Sequence, residues 1–112
     1  MKLWRWDKGR QGTGYEKFTL LFSKTLECDA YILKIPKGVG IPQHVDYVPH
    51  AKHYRVNITL RGHLRMETSK SHYKVWRIGD WLSFFRPDVI SHSAPAVNTD
   101  TYIFSFGWLR PN

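Results

Sequence analysis

One cysteine, Cys28, stands in 112 residues. A single thiol excludes an intramolecular disulfide and a Cys-rich zinc site, and its ordinary role is that of a small buried hydrophobe. No stretch approaches the roughly 18 apolar residues of a membrane span, and the opening MKLWRWDKGR lacks the apolar core of a leader. A soluble, cytoplasmic protein with no membrane partner is expected. Acidic residues are scarce: nine Asp plus Glu face seventeen Lys plus Arg, for a net charge of +8. That excess leans toward an anionic substrate. The basic residues form no run of five or six, so nucleic acid is not favoured as a partner, and a solvated surface explains them. Repeats, linkers and low-complexity tracts are missing, which leaves one domain over residues 1–112, a monomer or a small homo-oligomer.

Helical periodicity is also scarce. What is present is a folded composition, 42% hydrophobic and 15% aromatic, arranged in short apolar or alternating runs that recur roughly every eight to twelve residues between Gly, Pro, Asp and Ser. The expected strands are FTLLFS (18–23), AYILKI (30–35), PQHVD (42–46), YRVNITL (54–60), HLRMET (63–68), YKVWRI (73–78), DWLSFF (80–85) and TYIFSFGW (101–108). Eight short antiparallel strands suit an all-β jelly-roll barrel, which leaves few exposed edges. Residues 1–17 form a turn-rich lead-in. Its three glycines in GRQGTGY follow no strand and precede no Lys-Ser/Thr, which argues against a phosphate loop.

The chemistry centres on His44-Val45-Asp46. In a strand, residues i and i+2 share a face about 6.6 Å apart, so a nitrogen of His44 and an oxygen of Asp46 can aim at one point. Such a pair is either a structural histidine bonded to its carboxylate or two-thirds of a metal site. His92 is the best-placed third ligand. His50, His53, His63 and His72 have no carboxylate two residues away and read as solvated. Two histidines and one carboxylate on one face of an ion leave three positions open, the arrangement of non-haem Fe(II) oxygenases.

Gly38-Val-Gly-Ile-Pro-Gln-His44-Val-Asp46, then Gly79-Asp-Trp-Leu-Ser-Phe-Phe-Arg-Pro87 through His92 and Asn98, resemble the two motifs of the cupin superfamily. His-x-Asp in the first motif, the segment Arg55-Val-Asn57-Ile-Thr-Leu60 and the closing Phe-Gly-Trp108 look most like the aspartyl/asparaginyl β-hydroxylase-like branch of the Fe(II)/2-oxoglutarate-dependent oxygenases. The resemblance spans about residues 30–108. It implies a double-stranded β-helix in which His44, Asp46 and His92 hold Fe(II) and 2-oxoglutarate is the cosubstrate. One departure stands out: Tyr102 occupies the position, ten residues past the distal histidine, where that branch carries the arginine that meets the far carboxylate.

A buried carboxylate needs a cation or several donors. Arg55, Asn57, Thr59 and Arg61 share one strand face by parity, so Arg55, Asn57 and Arg61 become the cosubstrate candidates, with Tyr102 beside them. This requires the polar face to look inward and Tyr54, Val56, Ile58 and Leu60 to look outward. Tyr31 is either a further cosubstrate contact or a core aromatic with its hydroxyl at the rim. Most of the tryptophans and phenylalanines read as core, while Trp4 and Trp6 with Arg5 and Lys8 could form a contact surface. Three functions follow: a 2-oxoglutarate-dependent hydroxylase, a small metal-binding cupin that acts on a compact acid without 2-oxoglutarate, and a non-catalytic cupin-like module.

Overall fold

The computed structural model describes residues 6–8, 14–46, 51–68 and 75–111. Ten strands run through them: β1 (Trp6–Lys8), β2 (Glu16–Ser23), β3 (Cys28–Ile35), β4 (Ile41–His44), β5 (Ala51–Arg61), β6 (Glu67–Thr68), β7 (Trp76–Ile78), β8 (Leu82–Phe85), β9 (His92–Ala94) and β10 (Thr101–Pro111). Seven form one sheet in the order β1-β2-β3-β10-β5-β8-β7, and β4-β9-β6 form a smaller one. Among the described residues no helix is long and apolar enough to cross a membrane.

Strand β10 shows how composition sets the two faces. Thr101, Ile103, Ser105 and Gly107 are buried and alternate with half-buried Tyr102, Phe104, Phe106 and Trp108, the period of two that a pleated strand imposes. The small and polar members of β10 look into the barrel and its aromatics look out. Its neighbour β5 does the same: Arg55 is buried, whereas Tyr54 stacks outside on Trp108 at 5.9 Å and meets the edge of Phe84 at 6.2 Å. A polar interior beneath an aromatic outer face marks a barrel that encloses a site rather than a fully apolar core. The apolar core is correspondingly small. Its main cluster packs buried Ile35, Val97 and Ile103 with Tyr15, Leu33, Val39, Ile41 and Leu64, and Ala30, Phe85, Ile90 and Ala94 are buried outside that cluster.

The connection into β4 turns at Gly38, whose φ of +86° is open to glycine and strained for other residues. It is held by Gly38 N–H donating to the Val97 carbonyl at 2.9 Å and Val97 N–H donating to the Val39 carbonyl at 3.0 Å. These bonds fix where the small sheet starts.

Several expectations change. The lead-in contains β1 and the first residues of β2, paired Trp6 to Phe18. HLRMET is mostly irregular, with only Glu67–Thr68 in a strand. His92 lies on a strand, β9, rather than in a connection. Trp76 and Trp81 are 59% and 51% exposed, so neither is core, and the Trp6 ring packs on Phe18 at 5.3 Å. Trp4, Arg5, His50, His72 and most of GRQGTGY lie outside the described residues.

Candidate metal centre

The small sheet brings the two histidines together. Strand β4 pairs with β9 so that His44 stands directly opposite His92, and cross-strand neighbours have Cβ atoms about 4.5–5.5 Å apart. The ring centroids are 4.3 Å apart. Asp46 follows two residues after the end of β4, tied down by its backbone N–H donating to the Pro87 carbonyl at 2.8 Å. Its carboxylate oxygens lie 3.6 Å from His44 Nε2 and 3.5 Å from His92 Nε2. Two ligand atoms each about 2.1 Å from one ion at right or tetrahedral angles sit about 3.0–3.4 Å apart, so the three side chains are close to ligating distance.

The opposite ring nitrogens decide what these histidines can do. His44 Nδ1 is 2.7 Å from the Pro42 carbonyl and His92 Nδ1 is 2.9 Å from the Ile90 carbonyl. A carbonyl only accepts, so each Nδ1 carries a proton and donates, which leaves Nε2 as the nitrogen that can offer a lone pair to an ion. Both Nε2 atoms face the same carboxylate. That is the orientation a second shell imposes on metal-binding histidines, and His44, Asp46 and His92 form the one three-residue group among the described residues whose ligand atoms, all within 4.8 Å of one another, could hold an ion. Phe85, 2% exposed, meets the His92 ring edge-on at 5.1 Å and walls the group on one side. The donor set fits a first-row divalent ion, Fe(II) among them.

The three residues line a cavity of about 480 Å³. Asp29, Arg55 and Asn57, which also line it, belong to a continuous polar chain. Arg55 donates to Ser105 Oγ at 2.7 Å and to Asp29 Oδ1 at 2.6 Å, and Ser105 donates to Asn57 Oδ1 at 2.6 Å. Tyr31 lies under this chain, with the Arg55 guanidinium 4.7 Å and the Lys17 ammonium 4.3 Å from its ring centre. Burial raises the Tyr31 hydroxyl above its ordinary pKa, so it stays a protonated donor. Burial, and then the Arg55 charge, push His53 below the usual histidine range, so it is a neutral imidazole at physiological pH.

Of the residues singled out for a cosubstrate, the cavity contains Tyr31, Arg55 and Asn57 but not Arg61 or Tyr102. The correction has a definite cause. Tyr102 pairs with Arg61 and Ile103 with Thr59, so Leu60 is an extra residue on β5 and the ladder is bulged there. Past the bulge, parity reverses: Arg61 joins Tyr102 on the outer side, beside Lys37, Thr99 and Asp100. Thr59 borders a separate recess with Asn57 and Trp81. Arg55 is inside, but it is already paired with a carboxylate.

His53, expected to be solvated, and Lys17, expected in the turn-rich lead-in, both line the cavity. His53 is two residues before Arg55, and parity alone puts it on the inward face. Lys17 is two residues before buried Thr19 on β2, a strand expected to begin at 18. His63, read as solvated, is exposed and 2.9 Å from Asp80.

Fold and site together define a cupin β-barrel enclosing a His-Asp-His cluster. No family model matches the sequence, and no curated protein does. Solved structures similar to it include KdgF from Halomonas sp., with a TM-score of 0.67 at 16% identity over 96% of this chain and 88% of that one. An RmlC-like cupin from Shewanella frigidimarina gives 0.62 at 23% identity over 88% and 79%. A prolyl-4-hydroxylase from Pseudomonas putida gives 0.54 at 17% identity over 76% of this chain and 52% of the hydroxylase. At these identities the likeness establishes the fold. It does not extend to the aspartyl/asparaginyl hydroxylase branch.

Proposed function

We propose that this protein is a metal-dependent cupin enzyme that transforms a compact acid without 2-oxoglutarate, with His44, Asp46 and His92 as the ligands of a divalent ion, Fe(II) being the best match. The observation that carries the reading is the pair of Nδ1 bonds to Pro42 and Ile90, which aim both Nε2 atoms at Asp46. A bound ion would supply a Lewis acid for the substrate's oxygens. The chain supplies the rest. Tyr31 and Asn57 offer neutral hydrogen-bonding groups across the cavity, His53 is a neutral imidazole able to accept a proton, and Lys17 brings positive charge to the wall facing the cluster.

A hydroxylase that uses 2-oxoglutarate is the second reading, favoured by the two-histidine, one-carboxylate donor set. It ranks second because of the cation: Arg55 is neutralised by Asp29 at 2.6 Å, and Arg61 and Tyr102 face away. Under that reading Lys17 would have to meet the far carboxylate.

The two are separated by incubating Fe(II)-loaded protein in air with small 2-oxo and 2-hydroxy acids, with and without 2-oxoglutarate, and following both by NMR. Acid consumption that is indifferent to 2-oxoglutarate and lost in His44→Ala is expected. Succinate release requiring both iron and 2-oxoglutarate would transfer the assignment to the second reading.

A further inference from the structure

A second cavity, of about 260 Å³, lies against the first. Asp29, His53 and Arg55 line both, which makes the Arg55–Asp29 ion pair the partition between them. The Arg55 guanidinium lies close against Gly107, where an added Cβ would come within 2.6 Å of Arg55 Cζ.

Beyond it the character of the wall changes. Phe22 and Leu109 give it apolar side chains, Cys28 and Trp108 border it, and Ser23, Lys24 and Glu27 complete the lining, with Phe22 left 43% exposed. An apolar cavity of about 150 Å³ is already enough for benzene, so this one has room for a ring or a branched chain. At the partition, His53 Nδ1 is buried and has no hydrogen-bond partner. Buried polar atoms are ordinarily paired. An orphaned nitrogen between a polar, metal-ligating cavity and an apolar one is placed for a ligand that occupies both.

We infer that the second cavity is a subsite for an apolar substituent of the substrate, and that the substrate class is a small acid bearing an aromatic or branched apolar group. The acid end sits by His44, Asp46 and His92, the apolar group passes beside the Arg55–Asp29 pair, and an oxygen between them bonds His53 Nδ1. This rests on the acid-binding reading above.

Cys28 borders this cavity, is half-buried and free, and is the chain's only cysteine, which makes it a unique reporter. The test alkylates Cys28 of the Mn(II)-loaded full chain with iodoacetamide, followed by intact mass, in the presence of glycolate or of mandelate, which is glycolate carrying a phenyl group. Mandelate is expected to slow alkylation at least tenfold at a concentration where glycolate slows it less than twofold. Equal alkylation rates with the two acids would overturn the subsite. Mn(II) binding, read by electron paramagnetic resonance on the same samples, keeps the two ideas apart. Bound Mn(II) without selective protection removes the subsite and spares the metal reading, whereas selective protection without bound Mn(II) supports the subsite and removes the metal reading.

Discussion

Removing Asp29 tests whether Arg55 is a structural cation or a free one. The Arg55 side chain is 8% exposed and its Nη2 is 2.6 Å from Asp29 Oδ1, while the Asp29 side chain is 23% exposed. Asp29→Ala would leave the guanidinium in place with Ser105 and the Tyr31 face as its remaining contacts. Stranding a buried ion costs about 3–5 kcal/mol, and water reaching the Asp29 side sets the expectation at the lower end, about 3 kcal/mol. That is a large share of a total stability of about 5–15 kcal/mol. At about 4–8 °C per kcal/mol for a small domain, the melting temperature should fall by about 12–24 °C. Urea unfolding at pH 7, followed by tryptophan fluorescence, measures the loss. Arg55→Met and the double variant complete a cycle in which the double change costs clearly less than the sum, because the second substitution removes the stranded charge. A loss under about 1 kcal/mol for Asp29→Ala, or strict additivity, would show that the pair contributes no more than an exposed ion pair and that Arg55 is available to a ligand.

Gly107→Ala should push the guanidinium off β10 and destabilise by about 1–3 kcal/mol, as overpacking does, with wild-type stability refuting the close approach. For His53, the folded chain resists a proton that the unfolded chain accepts, so stability is complete above the usual histidine range, near 6.5, and declines as pH falls below it. The urea midpoint should therefore drop more steeply from pH 7 to pH 5 in wild type than in His53→Asn, and equal slopes would remove His53 as the cause. Arg61→Ala should stay within about 0.5 kcal/mol of wild type and leave acid binding unchanged, since the bulge at Leu60 turns it outward; weakened binding would contradict that placement.

Much of the site was legible because it depends on parity and turns. Gly38 announces the bend before β4, His-x-Asp supplies two candidate ligands two residues apart, and the inward polar face of β5 follows from Arg55 and Asn57. Tyr31 was ambiguous in sequence because an aromatic with a hydroxyl serves either role, and its place under Arg55 and Lys17 needed coordinates. The failure at Arg61 has a single cause. A bulge adds one residue without any mark in YRVNITLR, and one residue is enough to reverse every side chain beyond it. Strand β9 went unseen because His-Ser-Ala is three residues long, and only pairing with both β4 and β6 makes it a strand. Pairing is also what the sequence could not express for Arg55: Asp29 is distant in sequence and becomes its partner only through the shared neighbour β10. Parity would have found His53, had the inward face of β5 been followed two residues upstream.

The most direct measurement is anaerobic titration of the metal-free protein with Fe(II), or with Mn(II) followed by electron paramagnetic resonance, in wild type and in His44→Ala, Asp46→Ala and His92→Ala. One ion per chain in wild type, with affinity falling at least tenfold in each variant while folding is retained by circular dichroism, is the expected result. Binding that survives all three substitutions, or no binding in wild type, would contradict a metal centre at His44, Asp46 and His92.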